Sequence, residues 1–99
     1  MPLTLQQLES HWLIRLEGAV NIQCAPELKK VLIEWQGARV PLELDLERAE
    51  ELDITILQLL WAARHEAADR IVRIASRPSA AAARALADFG FSADAGEQA

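Results

Sequence analysis

A hydroxyl and a carboxylate stand two residues apart where a helical pattern begins, in the segment DITILQ that starts at Asp53. Asp53 fits an N-cap, because its carboxylate can accept hydrogen bonds from backbone N–H groups of the first turn. Thr55 then occupies the second helical position, where a side chain stays accessible. A phosphate on its hydroxyl would lie at the positive end of the helix dipole. Two roles stay open for Thr55, a capping hydroxyl and a phosphorylation site.

The other residues with reactive side chains do not assemble into a site. The sequence has no GxGxxG, GxxxxGK[ST], HExxH or GxSxG motif. His11 and His65 are far apart, and the neighbours of His65 are typical of a hydrated helix face. The carboxylates of segment 47–53 are interpreted as a hydrated surface connection rather than an acid–base pair. The single cysteine, Cys24, excludes an internal disulfide and a multi-cysteine metal site. We expect no catalysis, no cofactor and no metal.

Composition limits the kind of partner. The chain has 99 residues, enough for one domain, and 52% of them are hydrophobic. A net charge of -5 with scattered basic residues argues against nucleic acid and favours a protein partner. The longest apolar runs are shorter than the roughly 20 residues of a membrane span, so no direct membrane insertion is expected. The first residues lack the features of a signal peptide, which favours a cytoplasmic location.

Alternating apolar and polar residues predict three strands, and a short segment rich in β-branched residues predicts a fourth. In the third, Leu42, Leu44 and Leu46 should point toward the core. We expect a turn near Ser10 between the first two strands, a loop in GAVNIQCA and a polar connection in ERAEEL. The four predicted strands are LTLQQLE, WLIRLE, VPLELDL and IVRIAS.

Helical spacing of apolar residues predicts three helices, over 26–36, 54–68 and 79–89. Pro26 suits the first turn of the first helix, and Gly37 is its predicted stop. The element order ββαβαβα predicts one α/β domain over residues 1–91, with helices packed against a mixed sheet of four to five strands. Residues 92–99 are interpreted as a frayed tail. The residues expected in the core are Leu28, Leu32, Leu44, Leu57 and Leu60.

A helical wheel with Thr55 at its origin divides the second helix into two faces. The exposed stripe headed by Thr55 contains Gln58, Ala62, His65, Glu66 and Asp69, and Leu59 borders it. Ile54 lies near the margin. The core side contains Ile56, Leu57, Leu60, Trp61, Ala63, Ala67 and Ala68.

Three segments in this order and spacing resemble the STAS family, the sulfate-transporter and anti-sigma-factor-antagonist domain: GAVNIQCAPEL, LELDLERAEELDITILQLL and RIASRPSAAAARALADFGF. The family pattern has a Gly-x-Leu-Asp-Ile loop and a strand ending in Leu-Asp-Leu. An Asp-Ser-Ser-Gly-Leu motif follows eight residues after that aspartate. Here Gly18 to Ile22, Leu44 to Leu46 and Asp53 to Leu57 occupy those places.

The resemblance implies a phosphorylation switch. In such antagonists the second serine of the motif is phosphorylated by the anti-sigma factor, which is itself a serine kinase, and Thr55 occupies that position. The chain departs from the pattern where Ile54 replaces the first serine, Ile56 the glycine and Asn21 the loop aspartate. Ile56 should point into the core, whereas Ile54 can extend an apolar rim around Thr55. Asn21 is equally well interpreted as an ordinary turn residue.

Two functions follow from the resemblance. The first is a non-enzymatic, antagonist-like regulator in a bacterial signalling pathway that binds an anti-sigma factor, a serine kinase or a related protein. The alternative is an accessory subunit that sits on the ATPase of an ABC-type phospholipid transporter. A nucleotide-binding enzyme is disfavoured because no phosphate-cradling glycine loop is present. The residues predicted to bind the partner are Asn21, Asp53, Ile54, Thr55, Gln58, Leu59, Ala62 and Glu66.

Overall fold

The computed structural model describes residues 3–67, 71–75 and 77–89. The strands among them are β1 (Leu3–Gln7), β2 (Trp12–Leu16), β3 (Gly18–Val20), β4 (Leu42–Asp45), β5 (Ala49–Leu52) and β6 (Val72–Ile74). The helices are α1 (Ala25–Ala38), α2 (Ile54–Glu66) and α3 (Ala80–Phe89), and a 3-10 turn, Ile22–Cys24, precedes α1. The predicted domain end at residue 91 and the predicted tail 92–99 lie outside the described residues.

Four of the strands form one mixed sheet in the order β1-β2-β4-β6. β1 and β2 are antiparallel, and their turn is closed by a hydrogen bond from the Leu8 N–H to the His11 carbonyl, 2.9 Å long. β2 pairs with β4, and β4 with β6, in parallel. The predicted hairpin followed by parallel strands is therefore confirmed, as is the mixed sheet. This order brings the carboxyl ends of the parallel strands to one edge.

A second, two-stranded sheet corrects two of the predictions. β3 and β5 pair in parallel, where the sequence predicted a loop in GAVNIQCA and a polar connection in ERAEEL. The register shifts after Gly18, so that Ala19 lies opposite Glu51 and Glu50 is passed over. The irregularity breaks the alternation with a period of two, and β5 buries only its first and last residues. Gly18 adopts a φ of 70°, which glycine tolerates without strain.

The core lies between the four-stranded sheet and the helices. α1 buries one face, with Leu28, Val31, Leu32 and Trp35 in it. All five residues predicted for the core are buried, and so are Leu42 and Leu46 of the predicted inward row. Among helix pairs of the described chain, α1 and α2 make the most extensive contact, and α3 packs against β5.

The helix ends differ slightly from the predicted ones. α1 continues through Gly37 to Ala38, and Arg39 takes the left-handed conformation with a φ of 59°. The Trp35 indole N–H donates to the Val40 carbonyl over 2.7 Å, which fixes the chain after this turn. Pro26 lies in the first turn of α1, as predicted. α2 begins at the predicted residue and ends at Glu66 rather than 68.

Ser79 is the cap of α3 rather than its first residue. Its hydroxyl oxygen accepts from the Ala82 N–H at 3.0 Å and donates to the Ala49 carbonyl of β5. Its backbone N–H donates to the Leu46 carbonyl at 3.1 Å. These bonds attach the start of α3 to the strand that leads into α2, so α3 supports β5 from the side.

Candidate functional site

The ends of β3 and β5 bring the two predicted loop residues together. The Asp53 N–H donates to the Val20 carbonyl over 2.9 Å, and Val20 pairs with Leu52 in the parallel register. Asn21 follows Val20, and Asp53 follows Leu52. Both polar side chains therefore lie at the same edge, where two parallel strands end.

Asp53 caps α2 as its chemistry predicted. Its backbone is extended, with φ -71° and ψ 149°, and its Oδ1 accepts from the Thr55 N–H at 2.8 Å. Its carbonyl accepts from the N–H groups of Ile56 and Leu57 at 3.0 and 3.2 Å. The cap fixes Thr55 as the second residue of the helix.

Asn21 has the same role in the 3-10 turn. Its Oδ1 accepts from the Gln23 N–H at 3.0 Å, and its carbonyl accepts from the Cys24 N–H at 2.9 Å. The side chain is half-buried and its backbone is extended. Two capped helical starts, one led by Asn21 and one by Asp53, thus open at the same edge. The turn interpretation of Asn21 is confirmed, and its contact with a partner stays a prediction.

The Thr55 side chain is half-buried and lies beside these caps. Among the residues that the structure describes, none hydrogen-bonds its hydroxyl. Modification of the hydroxyl would therefore break no hydrogen bond to the described part of the chain. The bulk of Ile56 is fully buried, as predicted, so the residue that replaces the family glycine does not cover Thr55.

Two exposed isoleucines flank this edge. Ile22 is 63% exposed in the 3-10 turn, and Ile54 is 59% exposed as the first residue of α2. The predicted apolar rim therefore exists at Ile54. Ile22 was missed because a three-residue turn has no periodicity from which to infer a face. We call Ile22, Ile54 and Thr55 the helix-start surface.

The exposed side of α2 is rotated from the predicted one. Ile54, Gln58, Trp61 and His65 form its outer ridge, and Trp61 is 47% exposed, so the wheel was wrong to place it in the core. The indole stacks on the His65 ring, with centroids 4.5 Å apart. The helical wheel was wrong here because the extent of the buried face of α2 depends on which elements pack against it, and a wheel does not contain that information.

The ridge headed by Thr55 borders α1. Thr55, Leu59 and Ala62 are half-buried on it, while Glu66 is exposed. The Gln36 side-chain amide of α1 donates to Glu66 Oε2 over 3.0 Å. Leu59 also packs against the core. Of the predicted partner-binding residues, Ile54, Gln58 and Glu66 are thus the most accessible.

Exposed charges of both signs lie on the elements next to α2. Glu50 and Glu51 of β5 are exposed next to Asp53, whereas Lys29 and Lys30 are exposed on α1. Within the described parts of the chain, none of these four side chains has an ion-pair partner. These charges can therefore interact with a ligand or with a modified residue.

The outer face of the sheet contains a separate set of charges. His11 Nε2 lies 3.0 Å from Glu43, which also contacts Arg73 at 3.2 Å, and Arg15 pairs with Asp45 at 3.0 Å. These pairs are side by side on neighbouring strands. They hold exposed strands together and do not include the helix-start surface.

Residues 3–67, 71–75 and 77–89 contain neither a metal-binding cluster nor a membrane-spanning helix. No group of three or more His, Cys, Asp or Glu side chains there is arranged to hold a metal ion. No helix in those ranges has both the length and the apolar character needed to cross a membrane.

Comparison with protein families gives a match over residues 3–92, to the family described as Mlab, STAS domain. The chain belongs to the STAS family. No curated protein matches this STAS chain in sequence.

Solved structures show the same STAS fold. The phosphorylated form of the Bacillus cell fate determinant SpoIIAA has a TM-score of 0.72 at 18% identity, covering 90% of this chain and 84% of that one. The unphosphorylated anti-sigma factor antagonist SpoIIAA has a TM-score of 0.69 at 19% identity, covering 89% and 83%. A putative anti-sigma factor antagonist from Thermotoga maritima has a TM-score of 0.72 at 16% identity, covering 89% and 78%. At these identities the likeness is one of fold.

Proposed function

We propose that this STAS domain is a non-enzymatic regulatory protein, antagonist-like, that binds a protein partner through the helix-start surface and is switched by phosphorylation at Thr55. The observation that carries the proposal is a pair of exposed isoleucines, Ile22 and Ile54, at the edge where the half-buried Thr55 lies in the first turn of α2. Among the described residues, none hydrogen-bonds the Thr55 hydroxyl. The partner is a serine-kinase anti-sigma factor or a related signalling protein, and the site of action is the cytoplasm.

The apolar part of the surface supports docking. Burying a whole isoleucine side chain contributes about 1.5–3 kcal/mol, and Ile22 and Ile54 each leave more than half of theirs in water. A partner that covers both gains most of that energy. Gln58, one turn after Ile54 on the outer ridge, extends the contact along α2.

The polar part supports a switch. A kinase would join the γ-phosphorus of ATP to Thr55 Oγ1, with release of ADP and the hydroxyl proton. The product has roughly two negative charges, which the first turn of a helix tolerates. A partner that buries Ile22 and Ile54 at this edge would also have to remove water from the phosphate, and the cost of desolvating that charge opposes docking. Exposed Glu50 and Glu51 repel an acidic partner further.

The test is a kinase reaction followed by intact-mass analysis. The wild-type chain, incubated with ATP and a kinase encoded beside it, should gain one phosphate. Thr55→Val keeps the branched shape without the hydroxyl and should gain none, whereas Thr55→Ser should still react. An unmodified wild-type chain in the presence of an active kinase would contradict the switch.

A second candidate is supported by the same isoleucines. The family description Mlab, STAS domain, and Ile54 in the place of a serine favour a permanent apolar contact, as in an accessory subunit on the ATPase of a phospholipid transporter. This candidate predicts no phosphate, and Thr55→Val should bind as the wild type does. Genes for a permease and an ATPase beside this one, in place of a kinase or phosphatase, would favour it.

A further inference from the structure

We infer that Lys29 of α1 is the internal counter-charge for a phosphate on Thr55. The inference rests on the proposed function, since it concerns the modified state of that site. It follows from how α1 and α2 are aligned. It assigns a role to a lysine that has no ion-pair partner within the described chain.

A hydrogen bond joins the two helices near their ends, and the strands that lead into them, β3 and β5, are paired. There the Asp53 N–H, at the cap of α2, donates to the carbonyl of Val20, the last residue of β3, over 2.9 Å. Near their ends, the Gln36 amide donates to Glu66 over 3.0 Å. Each helix leads from the end of one parallel strand toward the start of the next, so α1 and α2 run in the same direction. Heights along the two helix axes can therefore be compared, with the contact between Gln36 and Glu66 as the common reference point.

The matching places Lys29 about one turn from Thr55. Lys29 precedes Gln36 by seven residues, about 10.5 Å along the axis, and Thr55 precedes Glu66 by eleven, about 16.5 Å. Their Cα levels thus differ by about 6 Å. A long side chain on a helix leans toward the N-terminus, which brings the Lys29 ammonium up toward the level of Thr55.

The two residues also lie on facing ridges. Seven residues are close to two full turns, so Lys29 and Gln36 share one face of α1. Eleven residues are close to three turns, so Thr55 and Glu66 share one face of α2. Because Gln36 touches Glu66, the face with Lys29 is turned toward the face with Thr55. The neighbouring Lys30 is rotated 100° further around α1, away from α2.

The elements packed near the start of α2 carry other charged groups. The Asp53 carboxylate and, on β5, Glu50 and Glu51 all oppose its second ionisation. On α3, Arg84 and Asp88 are exposed and line an open groove beside Leu52. Lys29 is the cation that the facing ridges of α1 and α2 direct toward Thr55. Arg84 is the competing cation, and it is tested beside Lys29.

The test measures the second pKa of the phosphate by ³¹P NMR, in full-length protein with phosphothreonine encoded at position 55. Neither the kinase nor the partner is needed, so failure here and failure of the proposed function are distinguishable. That pKa lies near 6 in an unperturbed phosphate. An ion pair with Lys29 should lower it, and Lys29→Gln should raise it by about half a unit. The rise should shrink in about 1 M salt, where charges are screened beyond about 3 Å.

The matched controls are Lys30→Gln and Arg84→Gln, which also remove one exposed positive charge each. Both should leave the phosphate pKa within about 0.1 unit of the parent, because screening weakens distant charges. Equal pKa values in the parent and Lys29→Gln would overturn the inference. So would a rise in Arg84→Gln as large as that in Lys29→Gln.

Discussion

The N-cap at Asp53 should make a measurable contribution to the free energy of unfolding. Asp53→Ala removes the carboxylate oxygen that accepts from the Thr55 N–H at 2.8 Å. The backbone bonds of Asp53 to Val20, Ile56 and Leu57 do not need the side chain and remain. The loss should therefore equal that of one N-cap, about 1 kcal/mol. In a domain of this size that lowers Tm by roughly 4–8 °C.

Asp53→Asn separates the hydrogen bond from the charge. Its amide oxygen can still accept from the Thr55 N–H, so it should lose only the interaction of the charge with the helix dipole, about 0.3 kcal/mol in physiological salt. Urea unfolding followed by circular dichroism measures both variants. The expected order of stability is wild type, then Asn, then Ala. A free energy of unfolding for Asp53→Ala equal to the wild type, or equal losses in both variants, would refute the capping argument.

Leu60→Ala should lower the free energy of unfolding, measured in urea, by about 2–5 kcal/mol, because Leu60 is only 1% exposed and its truncation leaves a cavity. An unchanged unfolding midpoint would place Leu60 outside the core. Gln58→Ala, two residues away and exposed, should unfold within about 0.5 kcal/mol of the wild type yet bind the partner more weakly. Normal affinity would remove Gln58 from the interface. Ser79→Ala should lose about 1–2 kcal/mol, since the Ala82 N–H and the Ala49 carbonyl both lose a partner. A thermal melt identical to the wild type would show that this cap is dispensable.

The sheet and the helices could be predicted from the sequence where their patterns are long and regular. Leu42, Leu44 and Leu46 alternate without interruption, and the buried face of α1 repeats over two turns. β3 could not be predicted because a strand of three residues is too short to show an alternating pattern. β5 could not be predicted because the register skips Glu50, which interrupts the alternation of its buried residues. Their pairing depends on a contact between distant segments.

The candidate site could be predicted where its chemistry is local. An aspartate before a helix accepts from the first turn whatever surrounds it, so Asp53 and Thr55 were placed correctly. The exposure of Ile22 and Trp61 depends on which elements pack beside them, which a helical wheel does not contain. The alignment of α1 with α2 is likewise a property of the fold, and it places Lys29 about one helical turn from the level of Thr55.

Docking at the start of α2 is tested by measuring the affinity of two isoleucine variants for the partner by isothermal titration calorimetry. Ile54→Ser alters the helix-start surface, whereas Ile71→Ser changes the same residue type, 44% exposed, just before β6 at the opposite end of the sheet. Losing the apolar contact of Ile54 should reduce binding by about 1–2 kcal/mol, a five- to thirty-fold rise in Kd. Ile71→Ser should bind as the wild type does. Equal affinity in both variants would contradict docking at the start of α2.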